Sequence, residues 1–123
     1  MSREWTYGQY TYGDGYKDIS TGVTIEWEFD TGGYDWETWA LLSKEEDGVK
    51  LYAAYNDSGC SCVTPYELKP EKYDLAWTPN LKEAASVVSR LLRDIVPDER
   101  WGVSADKKAA TLANLSATVM KLR

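Results

Sequence analysis

The sequence predicts an α+β fold: an antiparallel N-terminal sheet of three to five strands, packed with two C-terminal helices. Three observations carry this prediction. Period-two strand patterns come first along the chain and helical patterns last, the order of an α+β domain. An Asp47-Gly48 reversal joins two apolar runs into a hairpin. Capping residues mark two helix starts, near Thr78 to Asn80 and at Ser104. At 123 residues the chain is expected to be one domain, with the sheet over about 5–77 and helices over about 79–96 and 104–121.

Residues 5–17 mix strand-forming aromatics with glycine. Trp5 and Tyr7 have one parity, Tyr10 and Tyr12 the other, so a short edge strand with a bulge or turn near Gly8 is expected. Val23, Ile25, Trp27 and Phe29 alternate with Thr24, Glu26 and Glu28, the pattern of a half-buried strand. Strict alternation would place Glu26 and Glu28 together on the polar face. Asp30-Thr31-Gly32-Gly33 then supplies a turn, because glycine accepts positive φ without steric cost.

Trp36 to Lys44 and Val49 to Tyr55 form the hairpin arms. Both parities of the first arm are apolar (Trp39 and Leu41, Ala40 and Leu42), so this strand pair is expected to be covered on both faces, with helices on one. Pro65, Pro70 and Pro79 punctuate the following connection, and Tyr73 to Trp77 is a candidate short edge strand. The first helix starts either with Thr78 as cap and Pro79 at N1, or at Asn80 with Glu83 as a capping box. Leu81, Ala84, Ala85, Val88, Leu91, Leu92 and Ile95 make its apolar stripe, and Pro97 ends it. Ser104 caps the second helix, whose stripe is Ala105, Ala109, Leu112, Leu115, Val119 and Leu122.

Six Trp and nine Tyr stand against one Phe. Rings with polar tips suit amphipathic surfaces as well as sheet faces. Charge is uneven: residues 1–57 hold 12 acidic against 4 basic side chains, a balance of −8, whereas 58–123 hold 8 against 10, a balance of +2. An acidic sheet half argues against direct nucleic-acid binding, which needs a concentrated basic surface. It permits a basic protein partner or mimicry of a nucleic acid, and it also keeps an aromatic-rich protein soluble. No apolar stretch approaches the roughly 18–20 residues of a membrane span, and no secretory leader is visible, so a cytosolic protein with reduced thiols is expected.

The two cysteines, Cys60 and Cys62, lie in Asp57-Ser58-Gly59-Cys60-Ser61-Cys62. A tetrahedral zinc site needs four ligands, and the chain has no histidine and no third cysteine to complete one. Asp57 or Glu67 can add oxygen, and a second subunit can add sulfur. Paired thiols can also cycle through a disulfide, although the usual dithiol spacing is Cys-x-x-Cys at a helix start. The plainest reading is a tight turn at Gly59 with small thiols buried beneath it.

Among carboxylates, Glu26 with Glu28, and Asp30, Asp35 and Glu37 beside the glycine turn, are the pairs that acid–base hydrolysis of a sugar would require. A solvated strand face has the same appearance. No phosphate loop, Ser-His-Asp set or HExxH helix is present, and the commonest general base is missing. A non-enzymatic role with no cofactor and no metal follows as the expectation. Tyr12, Tyr16, Tyr34, Asp35 and Trp36, with Tyr10, fall in glycine-rich segments expected to be exposed, where rings anchor a partner at low entropic cost.

The run Phe29-Asp30-Thr31-Gly32-Gly33-Tyr34-Asp35-Trp36-Glu37, then Tyr55-Asn56-Asp57-Ser58-Gly59-Cys60-Ser61-Cys62 and Pro65-Tyr66-Glu67, resembles a group of small proteins encoded by bacteriophages of actinobacteria. The resemblance covers residues 23–95, and its most specific part is Ser-Gly-Cys-Ser-Cys. It brings no catalytic residues. It implies a phage accessory protein acting in the host cytoplasm by binding a host protein.

Overall fold

The computed structural model describes residues 2–94 and 104–123. Strands β1 (Arg3–Thr11), β2 (Gly15–Asp30), β3 (Trp36–Glu46) and β4 (Val49–Gly59) form one antiparallel sheet in the order β1-β2-β3-β4. Helices α1 (Leu81–Arg93) and α2 (Ala105–Leu122) follow and pack against it. The α+β order expected from the pattern is the order observed.

The β3–β4 hairpin closes where Asp47-Gly48 predicts. Glu46 pairs with Val49, and both turn residues have positive φ, 53° at Asp47 and 77° at Gly48. That is the conformation of a two-residue turn matched to strand twist. Both parities of β3 are buried, as expected for a central strand. Asn80 caps α1, its side chain accepting from the Glu83 N–H at 3.2 Å, which decides the start in favour of Asn80. The capping box is not closed directly, because the Asn80 N–H donates to Thr78 Oγ1 at 3.1 Å and that hydroxyl donates to Glu83 at 3.3 Å. Ser104 caps α2 in the same way, accepting from the Lys107 N–H at 3.1 Å. The predicted continuation of α1 to residue 96, with Ile95 in its stripe and Pro97 as its stop, lies outside the described residues.

The long apolar strand does not keep one face. A bulge between Ile25 and Trp27 breaks the register with β3. Val23 and Ile25 pack with Trp5, Ala40, Leu42 and Tyr55 on one side of the sheet. Trp27 and Phe29 pack with Trp39, Leu41, Tyr52 and the helices on the other. Glu26 and Glu28 are separated by the same slip. The Glu26 carboxylate lies 3.9 Å from Lys50, whose ammonium stands over Tyr52, while Glu28 accepts the hydroxyl of Tyr66 at 2.7 Å across the opposite face. The shared polar face expected from strict alternation is therefore absent.

The helix side is an apolar layer. Val88 and Leu92 of α1 and Leu115 of α2 are buried on Trp39 and Leu41, and Trp27 Nε1 donates to Asn114 Oδ1 at 2.8 Å. Ala105 and Ala109 are exposed, so the α2 stripe engages only from Leu112 onward.

Among the described residues no α-helix covers the other side. The segment 60–79 does, and Tyr73 to Trp77 is not an edge strand: Tyr73, Leu75 and Trp77 lie against the core instead. Its one ladder contact is the Tyr52–Thr78 bridge on the outer side of β4. Trp5 is fully buried there, edge-on to Tyr55, Tyr66 and Tyr73, with its Nε1 donating to the Leu68 carbonyl at 3.1 Å. Tyr66 holds this layer down despite a left-handed backbone, φ 60°. Its N–H donates to the Tyr55 hydroxyl at 3.2 Å. Its own hydroxyl reaches Glu28, which Arg3 grips with two bonds of 3.0 and 2.9 Å.

The N-terminal strand is longer than its sequence signal. It turns at residues 12–14 and returns as the first part of β2. The slip in this ladder falls between Glu4 and Thr6, not near Gly8. Gly8 has another purpose: a Cβ there would meet the Tyr16 ring, which lies across it, at 1.9 Å from the hydroxyl. Because β2 meets β3 only from Thr24 onward, residues 6–11 and 15–20 pair with each other alone and form a two-stranded arm.

Candidate functional site

The sequence candidates fall at two places, one at each end of β2. Tyr10, Tyr12 and Tyr16 are exposed on the arm. Tyr34 and Asp35 stand on the β2–β3 turn, beside the end of β4 that leads into the cysteines. The structure thus joins Tyr34, Asp35 and Trp36 with Asp57, Gly59, Cys60 and Cys62; Tyr12 stands on the arm, and Tyr16 lines a cleft between the arm and the segment Thr64, Pro65, Tyr66 and Glu67 that follows the cysteines.

Local bonds shape the turn. Asp30 Oδ1 accepts from the Gly32 N–H at 2.7 Å, and Gly32 and Gly33 take φ values of 70° and 90°. The Thr31 N–H donates to Glu37 O at 3.0 Å while Thr31 Oγ1 accepts from the Glu37 N–H at 2.9 Å, which closes the loop. Tyr34 is left 83% exposed at its crest.

Trp36 is not the exposed ring that its glycine-rich context predicts: only 5% of it is accessible. Paired with Gly59 across the β3–β4 ladder, it lies under the cysteine segment. Its Nε1 donates to two carbonyls, Cys60 O at 3.1 Å and Val63 O at 2.9 Å. Cys60 O also accepts from the Val63 N–H at 3.1 Å, so residues 60–63 form a tight turn pinned on the indole. Gly59 has no positive φ, and space is what demands it. A Cβ would stand 2.6 Å from Val63 Cγ2 and 2.8 Å from Trp36 Cζ2.

The thiols are not buried beneath this turn. Cys60 and Cys62 are both free and exposed, because Trp36 occupies the space the thiols were expected to fill. The Cys62 thiol hydrogen-bonds to Cys60 and holds it below the ordinary thiol range, a lowering that the nearby Asp35 charge opposes. The same contact holds Cys62 above that range. Among the described residues, no group of three or more Cys, Asp or Glu is placed to hold a metal ion.

Acidic groups surround the turn. Asp57 accepts from the Tyr55 hydroxyl and the Ser58 N–H, each at 2.9 Å, and Glu37 accepts from Asn56 Nδ2 at 3.1 Å. No Lys or Arg occurs in residues 18–43 or 51–68, the two segments that build this end. Sequence reasoning missed the polar clasp beneath it, Arg3-Glu28-Tyr66-Tyr55. Burial raises the Tyr66 hydroxyl far above the ordinary phenol range, and the bond to Glu28 adds to that. Desolvation works to raise Glu28, but the bonds from Arg3 and Tyr66 outweigh it and hold the carboxyl below its usual range. The one available signal was Pro65-Tyr66-Glu67, which marks where the chain turns back over the sheet.

The architecture is that of a small α+β domain whose sheet is covered by helices on one face and by an aromatic loop on the other. The chain belongs to the family described as Domain of unknown function (DUF7574), whose model matches residues 10–122. No curated protein and no solved structure matches it.

Proposed function

We propose that this chain is a non-enzymatic bacteriophage accessory protein that acts in the host cytoplasm by binding a basic surface of a host protein. The contact is the end of the sheet that carries Tyr34, Asp35 and Asp57. One observation supports this reading above the rest: an exposed aromatic ring sits among carboxylates in segments that contain no basic residue. Such a ring buries a large area on docking at small conformational cost. Unneutralised carboxylates around it speed encounter with a basic partner and select against acidic ones. The phage origin rests on the resemblance of residues 23–95, and the cytoplasmic location on the same ground.

Trp36 supports the surface from below, so its removal would test folding instead of binding. The informative variant is Tyr34→Ala with Asp35→Asn, compared with Tyr12→Ala on the arm. Affinity capture from host lysate, followed by measured binding to the purified partner, is expected to return a basic protein. The double variant should weaken that binding tenfold or more, about 1.4 kcal/mol. Raising salt should weaken the wild-type complex because exposed charges are screened. Equal binding by the double variant, or a partner with an acidic contact surface, would refute the proposal.

A further inference from the structure

Cys60 and Cys62 are unused by the docking role. Both thiols are free and exposed, and one turn carries both. They stand one residue apart on a turn closed by the Val63 N–H to Cys60 O bond, and each shifts the other's titration, Cys60 downward and Cys62 upward. The backbone beneath has little freedom. The Trp36 indole N–H holds the carbonyls of Cys60 and Val63, and Gly59 lies against the same ring. Residues two apart in a tight turn fall within the about 4.4–6.8 Å Cα separation that a disulfide spans. A pair brought together on a buried anchor needs little rearrangement to close.

We infer that Cys60 and Cys62 form a thiol–disulfide exchange site whose substrates are accessible small-molecule disulfides. In the first step the Cys60 thiolate attacks one sulfur of R–S–S–R. The S–S bond breaks, RS⁻ leaves and takes up the proton that Cys60 gave to solvent, and a mixed disulfide remains on Cys60. In the second step Cys62 loses its proton and attacks the Cys60 sulfur. The second RS⁻ leaves and is protonated in turn. Two electrons have passed from the protein dithiol to the substrate; two RSH are released and the Cys60–Cys62 bond is formed. Excess small thiol reverses the sequence. The order of attack follows from the asymmetry of the pair: the hydrogen bond from Cys62 favours thiolate at Cys60, and the thiolate is the nucleophile. Both sulfurs are open to solvent, so the substrate is recognised by its sulfur and not by its substituents.

The test uses reduced full-length protein, glutathione disulfide as the probe and intact-mass analysis with quantification of released glutathione. Wild type is expected to lose two hydrogens, release two glutathiones per chain and retain no adduct. Cys62→Ser should trap one glutathione on Cys60. Cys60→Ser should likewise trap one glutathione, on Cys62, because either thiol alone lacks the neighbour that would expel it. Both substitutions keep a hydroxyl at an exposed position, and circular dichroism checks that the fold is unchanged. Lasting adducts on wild type, single variants that trap no glutathione, or an inert wild-type pair would each overturn the inference. The reaction needs no protein partner, so its outcome is independent of the docking proposal.

Discussion

Tyr12 on the arm and Tyr34 on the β2–β3 turn are both exposed aromatic rings next to glycine, yet the two ends of β2 support them differently. The arm's strands pair only with each other; Tyr16 lies across Gly8, and Lys69 stands over the Tyr7 ring. At the other end the turn sits beside Trp36, a buried indole that holds the neighbouring segment by two hydrogen bonds. A partner meeting the arm meets a two-stranded ladder that no third strand supports. A partner meeting Tyr34 finds a surface whose conformation is already set, and pre-organisation of that kind lowers the cost of binding. Exposure alone does not separate a docking site from a solvated hairpin; what lies beneath the ring does.

The largest expected effect lies at the buried end. Trp36→Ala removes a packed ring and leaves two carbonyls without their donor, so unfolding in denaturant should show a loss of about 3–5 kcal/mol. Trp36→Phe keeps most of the packing and should cost about 1–2 kcal/mol through the lost N–H. A loss under 0.5 kcal/mol for the alanine variant would show that the cysteine turn does not depend on its anchor. Next comes Gly59→Ala, which forces a methyl between Trp36 and Val63. About 1–3 kcal/mol of destabilisation is expected in the same titration.

Acid should distinguish the loop-covered face from the helix-covered one. The folded carboxyl of Glu28 titrates below its unfolded value, so its contribution is complete above the ordinary glutamate range and is lost as pH falls through the lowered value. Glu28→Gln should therefore flatten the acid limb of stability against pH, with the wild-type curve as reference. Because the Arg3–Glu28 pair is partly exposed, the effect is expected to be smaller than either change at Trp36 or Gly59. A mutant curve parallel to wild type down to acid would remove Glu28 as the cause.

At the arm the effects should be smallest. Gly8→Ala collides with the Tyr16 hydroxyl, the far end of a side chain that is free to swing outward. A change within about 1 kcal/mol is expected. Tyr12→Ala should stay within about 0.5 kcal/mol. If either arm variant matches Trp36→Ala in thermal unfolding, the contrast between the ends fails.

Local signals were legible because local chemistry generates them. Asp47-Gly48 needs no distant partner to turn, and Asn80 with Glu83 caps a helix from within four residues. The order of strands before helices followed from the same signals. What stayed hidden was set by contacts across the chain. The bulge at Glu26 leaves the period-two pattern of residues 23–29 intact while sending its two halves to opposite faces. Trp36 looks like a loop aromatic until Gly59 and Val63 arrive to cover it. Tyr73 to Trp77 has strand composition, but the vacant sheet face takes those rings before β4 can pair with them. At the candidate site two placements were exchanged: the ring expected to be exposed is buried, and the thiols expected to be buried are exposed.

The absence of lysine and arginine from residues 18–43 and 51–68 has a practical corollary. A protease that cuts after basic residues finds no site in either stretch, so digestion should leave residues 18–43 and 51–68 each within a single fragment. Amine-coupling chemistry will tether the molecule through Lys17, Lys44, Lys50, Lys69, Lys72 or the helical lysines, and an immobilised chain will therefore present Tyr34 to whatever flows past.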